Sequence, residues 1–551
     1  MNRKPTRSKA IPSRVPLGCL ALVLAAAATA PADTYPRQLG VDVQHYAFKL
    51  ALSDESDAID AEATVAVRFP AEGMGTVTLD LASADRGKGM TVASVASAGK
   101  DLKFEHKSHR LVIPVDPVAK PGETHEFLIK YGGIPASGLR IGKNKFGERT
   151  FFSENWPDKA RQWLPTVDHP YDKATSEFVV TAPARYQVVA NGLLVEEIDL
   201  GDGRRTTHWK ESVPIATWLN ALGVAQFASR HSGSVRGVPV EVWSYHQEAD
   251  LGRTAFEGPA LKALEYYMET FGPFSYEKLG NVEAAGVDGG MEHASAIFYG
   301  ERSVRGRPET DLVAHEVAHQ WFGDAVTESD WDDVWLSEGF ATYGALLFAE
   351  HDRGREAFVA GLKRARRLVL DFEAKNPGVA VIHANLADMN KVLNPLVYQK
   401  GAWMLHMLRR RVGDEKFFAG LRLYYRRHRD GNASTDDFRH AMEEASGRSL
   451  GRFFGQWLRR PGSPIVRGTW HYDAERKAVV IELKVQDPPG ASDELPMEIG
   501  IGIEGRDGLR IEEVVLTRPS QTFTRGTDAP VTSVVLDPNT WLLMDGRIER
   551  R

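Results

Sequence analysis

Residues 315–343 read "HEVAHQWFGDAVTESDWDDVWLSEGFATY", and their reading decides the fold of the middle of the chain. Two histidines stand four apart around a glutamate, and a further glutamate opens the next apolar segment. In a helix, positions i and i+4 share a face, so His315 and His319 can aim their imidazoles at one ion. Thr310 as cap, Asp311 at the positive end and Gly323 as stop would frame that helix. Glu316 sits one step round, able to reach a water on the ion without being a ligand.

The H-E-x-x-H pattern alone is a weak signal, and a surface helix with solvated His and Glu is the plain alternative. A catalytic zinc site needs a third ligand and an open position, whereas a structural one closes its fourth corner, usually with cysteine. The chain has one cysteine, Cys19, far from this segment. Glu338 meets the need for a third ligand. It lies nineteen residues after His319, in the first turn expected of the next helix, with Ser337 as cap. A helix N-terminus favours a negative side chain and keeps it ionised. The expectation is one Zn2+ ion held by His315, His319 and Glu338, with water in the open corner and Glu316 as general base.

The bulk numbers allow a large enzyme. The chain has 551 residues, 42% hydrophobic and 26% charged, too many for one core, since single cores stop growing near about 250–300 residues. Its first stretch, "MNRKPTRSKAIPSR", carries five basic residues and no acid, and "LGCLALVLAAAATA" follows. That run is short against the ~20 residues of a spanning helix, and its small residues suit a cleavage site. It has the form of a secretory signal peptide, a retained anchor being the alternative. Most of the apolar run follows Cys19, which excludes a lipoprotein signal. Loss of residues 1–30 leaves 63 basic against 74 acidic residues, a net charge of −11. That disfavours nucleic acid as a partner. No disulfide is then possible, and the expected location is periplasmic or secreted, with no membrane contact after signal removal. Oligomeric state is not legible.

Period changes divide the rest. From about 40 to 230, runs such as "AEATVAVRF", "THEFLIKY" and "SEFVVTA" alternate between turn residues and read as strands. From about 255, "GPALKALEYYMETFG", "GREAFVAGLKRARRLVLDFEA" and "LVYQKGAWMLHMLRRRVG" place apolar residues at helical spacing. "RRPGSP" at 459–464 breaks the helices, and β returns. The expectation is a multidomain α+β chain: signal peptide 1–32, N-terminal β domain 33–232, catalytic domain 233–464 and C-terminal β domain 465–551. The runs "RARR", "RRR" and "RRHR" fall on helices with apolar faces and read as solvated faces.

Taken together, "HEVAHQWFGD…WLSEGFATY", "GGMEH" at 289–293 and "NPLVYQKGAWML" at 394–405 resemble peptidase family M1. This is the family of zinc aminopeptidases that includes aminopeptidase N and leukotriene A4 hydrolase. "ARQWLPTVDHPYDKATSEF" at 160–178 and "VVANG" at 188–192 are weaker echoes. The resemblance implies an N-terminal antiparallel β saddle, a thermolysin-like, mainly helical catalytic domain and a C-terminal β-sandwich. Many members add a C-terminal helical domain that closes over the site; this sequence ends in β, so the expectation is a more open site unless a partner subunit covers it.

The resemblance also assigns roles. Glu292 would hold the free α-ammonium of a peptide, with the Gly289–Gly290–Met291 backbone running alongside as an added strand. Glycine there permits close approach, although an ordinary Gly-rich turn has the same composition. Tyr398 would donate its hydroxyl to the oxyanion, a core tyrosine being the alternative. His293 departs from the family's Asn. It can still donate a hydrogen bond, but it is larger and can titrate, which implies an altered fit and a pH dependence. As a fourth ligand it would block the open corner. Glu154 is a second carboxylate candidate for the amine, ambiguous with Asn155. The implied activity is removal of the N-terminal residue from peptides with a free N-terminus. A zinc endopeptidase or a non-catalytic peptide-binding homologue are the alternatives.

Overall fold

The computed structural model describes Met1 and residues 33–70, 74–486, 497–506, 508–527 and 529–551. The rest of the expected signal peptide lies outside the described residues. Among the described residues no helix is long and apolar enough to cross a membrane.

The first part is built of strands whose side chains obey the period of two. In Lys173–Pro183, Ala174, Ser176, Phe178, Val180 and Ala182 are buried and their neighbours are not, which gives this strand one core face. It belongs to an eight-stranded sheet in which Asp42–Ala51 is also central. Asp42–Ala51 pairs antiparallel with Ile59–Arg68 but parallel with Lys173–Pro183, Phe48 facing Phe178. The sheet is therefore mixed, where an all-antiparallel one was expected. Parallel neighbours need a long crossover, and the chain from Ile59 to Tyr171, which itself holds nine strands among its described residues, supplies it.

A five-stranded sheet follows, in the order Phe227–Val235, Val238–Tyr245, Leu279–Ala284, Ala296–Gly300, Gly290–Met291. The expected domain boundary at 232/233 falls inside Phe227–Val235. That whole strand pairs with Val238–Tyr245 as a hairpin of this second sheet, so the first β unit ends before Phe227. Composition does not show which sheet a strand joins. Gly290–Met291 is the edge strand, antiparallel to Tyr299 and Phe298.

Four helices carry the site: α1 (Ala249–Thr270), α2 (Thr310–His319), α3 (Trp335–Arg353) and α4 (Arg355–Lys375). In α2, Thr310 is the first helical residue rather than the cap, and Glu309 before it makes no capping bond. Trp321, just past α2, packs edge-on against Tyr267, Phe271 and Phe274, locking that end into the core. α3 starts two residues before Ser337, which therefore lies inside the helix instead of capping it. Gly354, at φ 86°, reverses the chain into α4. That helix buries Phe358, Gly361, Leu362, Ala365 and Val369, one face at helical spacing. A π-helical turn at Leu396–Lys400 leads into α5 (Gly401–Val412).

The described residues from 465 onward form a four-stranded sheet around Ile465–Asp473 and Ala478–Gln486 and a three-stranded sheet around Met497–Gly505. This part is anchored on α5: His406 Nε2 donates to the Thr540 carbonyl at 3.0 Å, and its ring stacks on Trp541 at 4.6 Å.

Candidate metal centre and substrate cavity

α2 and α3 run antiparallel. Ser337 meets His319 where α2 ends and α3 begins, and Arg353 pairs with Asp311 at their other ends. This pairing brings the three expected ligands together. His315 Nε2 and His319 Nε2 are 3.1 Å apart, and Glu338 Oε2 lies 3.5 and 3.4 Å from them. A triangle with those sides has a circumscribed radius of about 1.9 Å, so a point 2.0–2.1 Å from all three donors lies just off its plane. Glu338 Oε2 is buried without a hydrogen-bond donor. Two imidazole nitrogens and an orphaned carboxylate oxygen at this spacing fit a tetrahedral divalent cation.

The surroundings orient the ligands. His319 Nδ1 is 3.2 Å from the Phe322 carbonyl, which can only accept, so Nδ1 carries the proton and Nε2 presents its lone pair. Ser337 Oγ stands 3.0 Å from the same Nδ1. Burial raises the Glu338 carboxyl; when no metal is bound, protonated imidazoles beside it outweigh that and lower it to about 2, and a divalent cation on their lone pairs would hold it ionised in their place. Burial, then Glu292 and Glu338, push Glu316 well above its ordinary value; a divalent cation would oppose that shift.

A cavity of about 730 Å³ opens over the triad, lined by Gly290, Met291, Glu292, Glu316 and Tyr398 among others. Glycine at 290 leaves room for the Glu316 carboxylate, which a β-carbon there would overlap. Gly289 is the exception among the expected substrate residues. It makes the turn before the edge strand, at φ 84°, and does not line the cavity. Glu292 is buried, and a carboxylate oxygen of it lies within 4.8 Å of Glu316 and of the His319 imidazole. Gln320 Nε2 donates to the Glu292 carbonyl at 2.9 Å, tying this strand to the end of α2.

Tyr398 sits on the π-helical turn, its ring stacked on His315 at 6.2 Å between centroids. The turn is held by buried Lys400, whose Nζ donates to Glu373 and to the Gly462 carbonyl, each at 2.7 Å. Gly401 lies against Gly339, the residue after the ligand Glu338, and a β-carbon at Gly339 would come to 3.0 Å from the Gly401 Cα. Two glycines thus let the Tyr398 element approach the ligand helix.

His293 does not behave as its chemistry suggested. It is fully buried, edge-on to Phe298 at 4.7 Å, and neither ring nitrogen has a hydrogen-bond partner. Burial takes its pKa down to about 3, so it is a neutral core residue and not a titrating one. Glu154 and Asn155 are placed differently. Glu154 lines the cavity, paired with Lys159 at 2.8 Å, while buried Asn155 bonds to the Asn220 carbonyl and Trp163. Sequence reasoning missed the roles of Ser337 and Gln320, and it missed α4 as a cavity wall. A serine beside a ligand glutamate was a signal for the first; nothing local marked the others.

A metal-ligand triad, a carboxylate on the same helix and an edge strand beside an elongated cavity are the arrangement of a metallopeptidase. The sequence profile for the peptidase M1 N-terminal domain matches residues 42–219, and that for the peptidase family M1 domain matches residues 258–457. The chain belongs to peptidase family M1. It is 27% identical to a glutamyl aminopeptidase of Bitis rhinoceros over 71% of this chain and 42% of that one. It is 27% identical to probable aminopeptidase 1 of Saccharolobus solfataricus over 68% of this chain and 49% of that one. The chain thus spans less than half the length of these curated relatives. An M1 zinc metallopeptidase of Deinococcus radiodurans, solved with a Tyr-Ser-Ala substrate, has a TM-score of 0.67 at 27% identity. That match covers 76% of this chain and 94% of the solved one.

Proposed function

We propose that the chain is a zinc-dependent aminopeptidase that removes the N-terminal residue from peptides. The observation that carries this reading is Glu292, a buried carboxylate within 4.8 Å of both Glu316 and the His319 imidazole. A carboxylate so close to the reacting atoms holds a free α-ammonium one residue from the cut. His315, His319 and Glu338 would hold the zinc, which when bound polarises the scissile carbonyl and acidifies a water towards a pKa of ~7. Glu316 takes the proton of the attacking water and passes it to the leaving amine. The Tyr398 hydroxyl donates to the oxyanion of the tetrahedral intermediate. The Gly290–Met291 edge aligns the substrate backbone as an added strand. The basic and apolar start of the sequence supports an exported enzyme.

The test is hydrolysis of aminoacyl reporters against their N-acetylated forms. Blocking the amine should abolish activity. Equal cleavage of both forms would favour an endopeptidase, and no cleavage by metal-loaded protein would favour a peptide-binding homologue.

A further inference from the structure

The cavity does not end at the triad. It continues along α2, α3 and α4, and it has a direction. Glu292 is tied through Gln320 to the C-terminal end of α2, whereas Leu312 and Asp311 line the cavity at the N-terminal end of that helix. A peptide whose amine is held at Glu292 therefore carries its remaining residues past His315 towards Leu312. That stretch is floored by Thr342, Ala345 and Ala349 of α3 and walled by Ala357, Ala360 and Arg364 of α4.

Arg364 is exposed into this stretch and makes no ion pair or hydrogen bond among the described residues. The other arginine lining it, Arg353, is already paired with Asp311. The position of Arg364 along the groove follows from helix geometry. α3 and α4 are joined by Gly354 alone and fold back on each other, and Gly361 lies directly against Leu346. In that register Arg364 stands level with Tyr343, which is about 8 Å along the α3 axis from the ligand Glu338. Extended peptide advances about 3.3 Å per residue, so the offset corresponds to roughly two residues beyond the cut.

We infer that Arg364 binds the C-terminal carboxylate of short peptides, making tripeptides with a free carboxyl terminus the favoured substrates. The inference rests on the aminopeptidase reading and deepens it. Guanidinium pairs with carboxylate through two parallel hydrogen bonds. The small side chains of Ala345, Ala349, Ala357 and Ala360 leave room for the backbone between the amine anchor and this cation.

The test compares tripeptides X-Ala-Ala as free acids and as C-terminal amides on the full chain with zinc, X being the residue preferred in an aminoacyl p-nitroanilide panel. The wild type should prefer the acid about tenfold or more in kcat/KM, mainly through KM, as expected for a charge-assisted hydrogen bond. In Arg364→Ala the acid-to-amide ratio should fall to near one. Arg364→Lys should recover part of it, and Arg364→Glu should invert it. Because the readout is a ratio within one protein, any loss of folded enzyme cancels. Calorimetric binding of the same acid and amide to Glu316→Gln gives the ratio without turnover. A wild-type ratio near one, or a ratio that survives Arg364→Ala, overturns the inference. If N-acetylated peptides are cleaved as fast as free ones, the aminopeptidase reading fails, while the acid-to-amide ratio still judges Arg364.

Discussion

Ser337 Oγ lies 3.0 Å from Nδ1 of His319, so the residue before one ligand orients another. The hydroxyl lies inside α3, where its own helix has no capping use for it. A partner behind a ligating imidazole fixes its tautomer and plane, and loss of such a partner typically costs about 10–100-fold in metal affinity.

Ser337→Ala should therefore weaken zinc binding by about tenfold or more, measured by competition with a chromogenic chelator. The Phe322 carbonyl, 3.2 Å from the same Nδ1, keeps the tautomer, so the loss should stay well short of that caused by replacing a ligand. An unchanged affinity would remove Ser337 from the site.

Gly290→Ala puts a methyl group where the Glu316 carboxylate now sits. Either the base or the edge strand must move, and a misplacement of about 1 Å at a reacting group can cost ~100-fold in rate. The expected outcome is a kcat/KM lowered by about that factor with zinc content unchanged, read by steady-state kinetics and metal analysis on the same preparation.

Tyr398→Phe removes a single oxyanion donor. The expected loss is about 10²–10³ in kcat with KM little altered. The Lys400 anchor to Glu373 and Gly462 does not involve the hydroxyl, so the π-helical turn and its circular-dichroism melting curve should be preserved.

His293 and His406 are both buried, and burial lowers each to about 3 from an ordinary 6.5. The unfolded chain takes up these protons near pH 6.5 and the folded chain only near 3. The unfolded state thus binds more protons within that window, and stability falls as pH falls through it. Each histidine contributes at most roughly 5 kcal/mol to this loss. His293→Leu should flatten the dependence of the urea midpoint on pH between about 6.5 and 3. The activity profile should show no inflection that this substitution removes.

How much of this is legible in the sequence follows from how local each signal is. His315, His319 and Glu316 were readable because helical period alone places them, and Glu338 because a first-turn carboxylate in the next helix has one natural use. The Tyr398 segment and Glu292 needed a resemblance, since a tyrosine on an amphipathic helix and a glutamate after two glycines have ordinary explanations. The sequence makes Ser337 look like a cap because it does not show that Trp335, buried and bonded through Nε1 to Thr435, starts the helix earlier. Strand Phe227–Val235 has the same β pattern as those before it, and only tertiary pairing assigns it to the second sheet. His293 looked titratable because burial is a property of its neighbours, Phe298 above all, and not of imidazole.

The most direct test of the central claim is zinc K-edge X-ray absorption on the purified full chain, with metal content measured alongside. One zinc per chain is expected, with two imidazole nitrogens and a carboxylate oxygen at about 2.0–2.2 Å and a fourth oxygen from solvent. The carboxylate contribution should disappear in Glu338→Gln. A shell containing three imidazoles, or one unaltered in Glu338→Gln, would contradict the site formed by His315, His319 and Glu338.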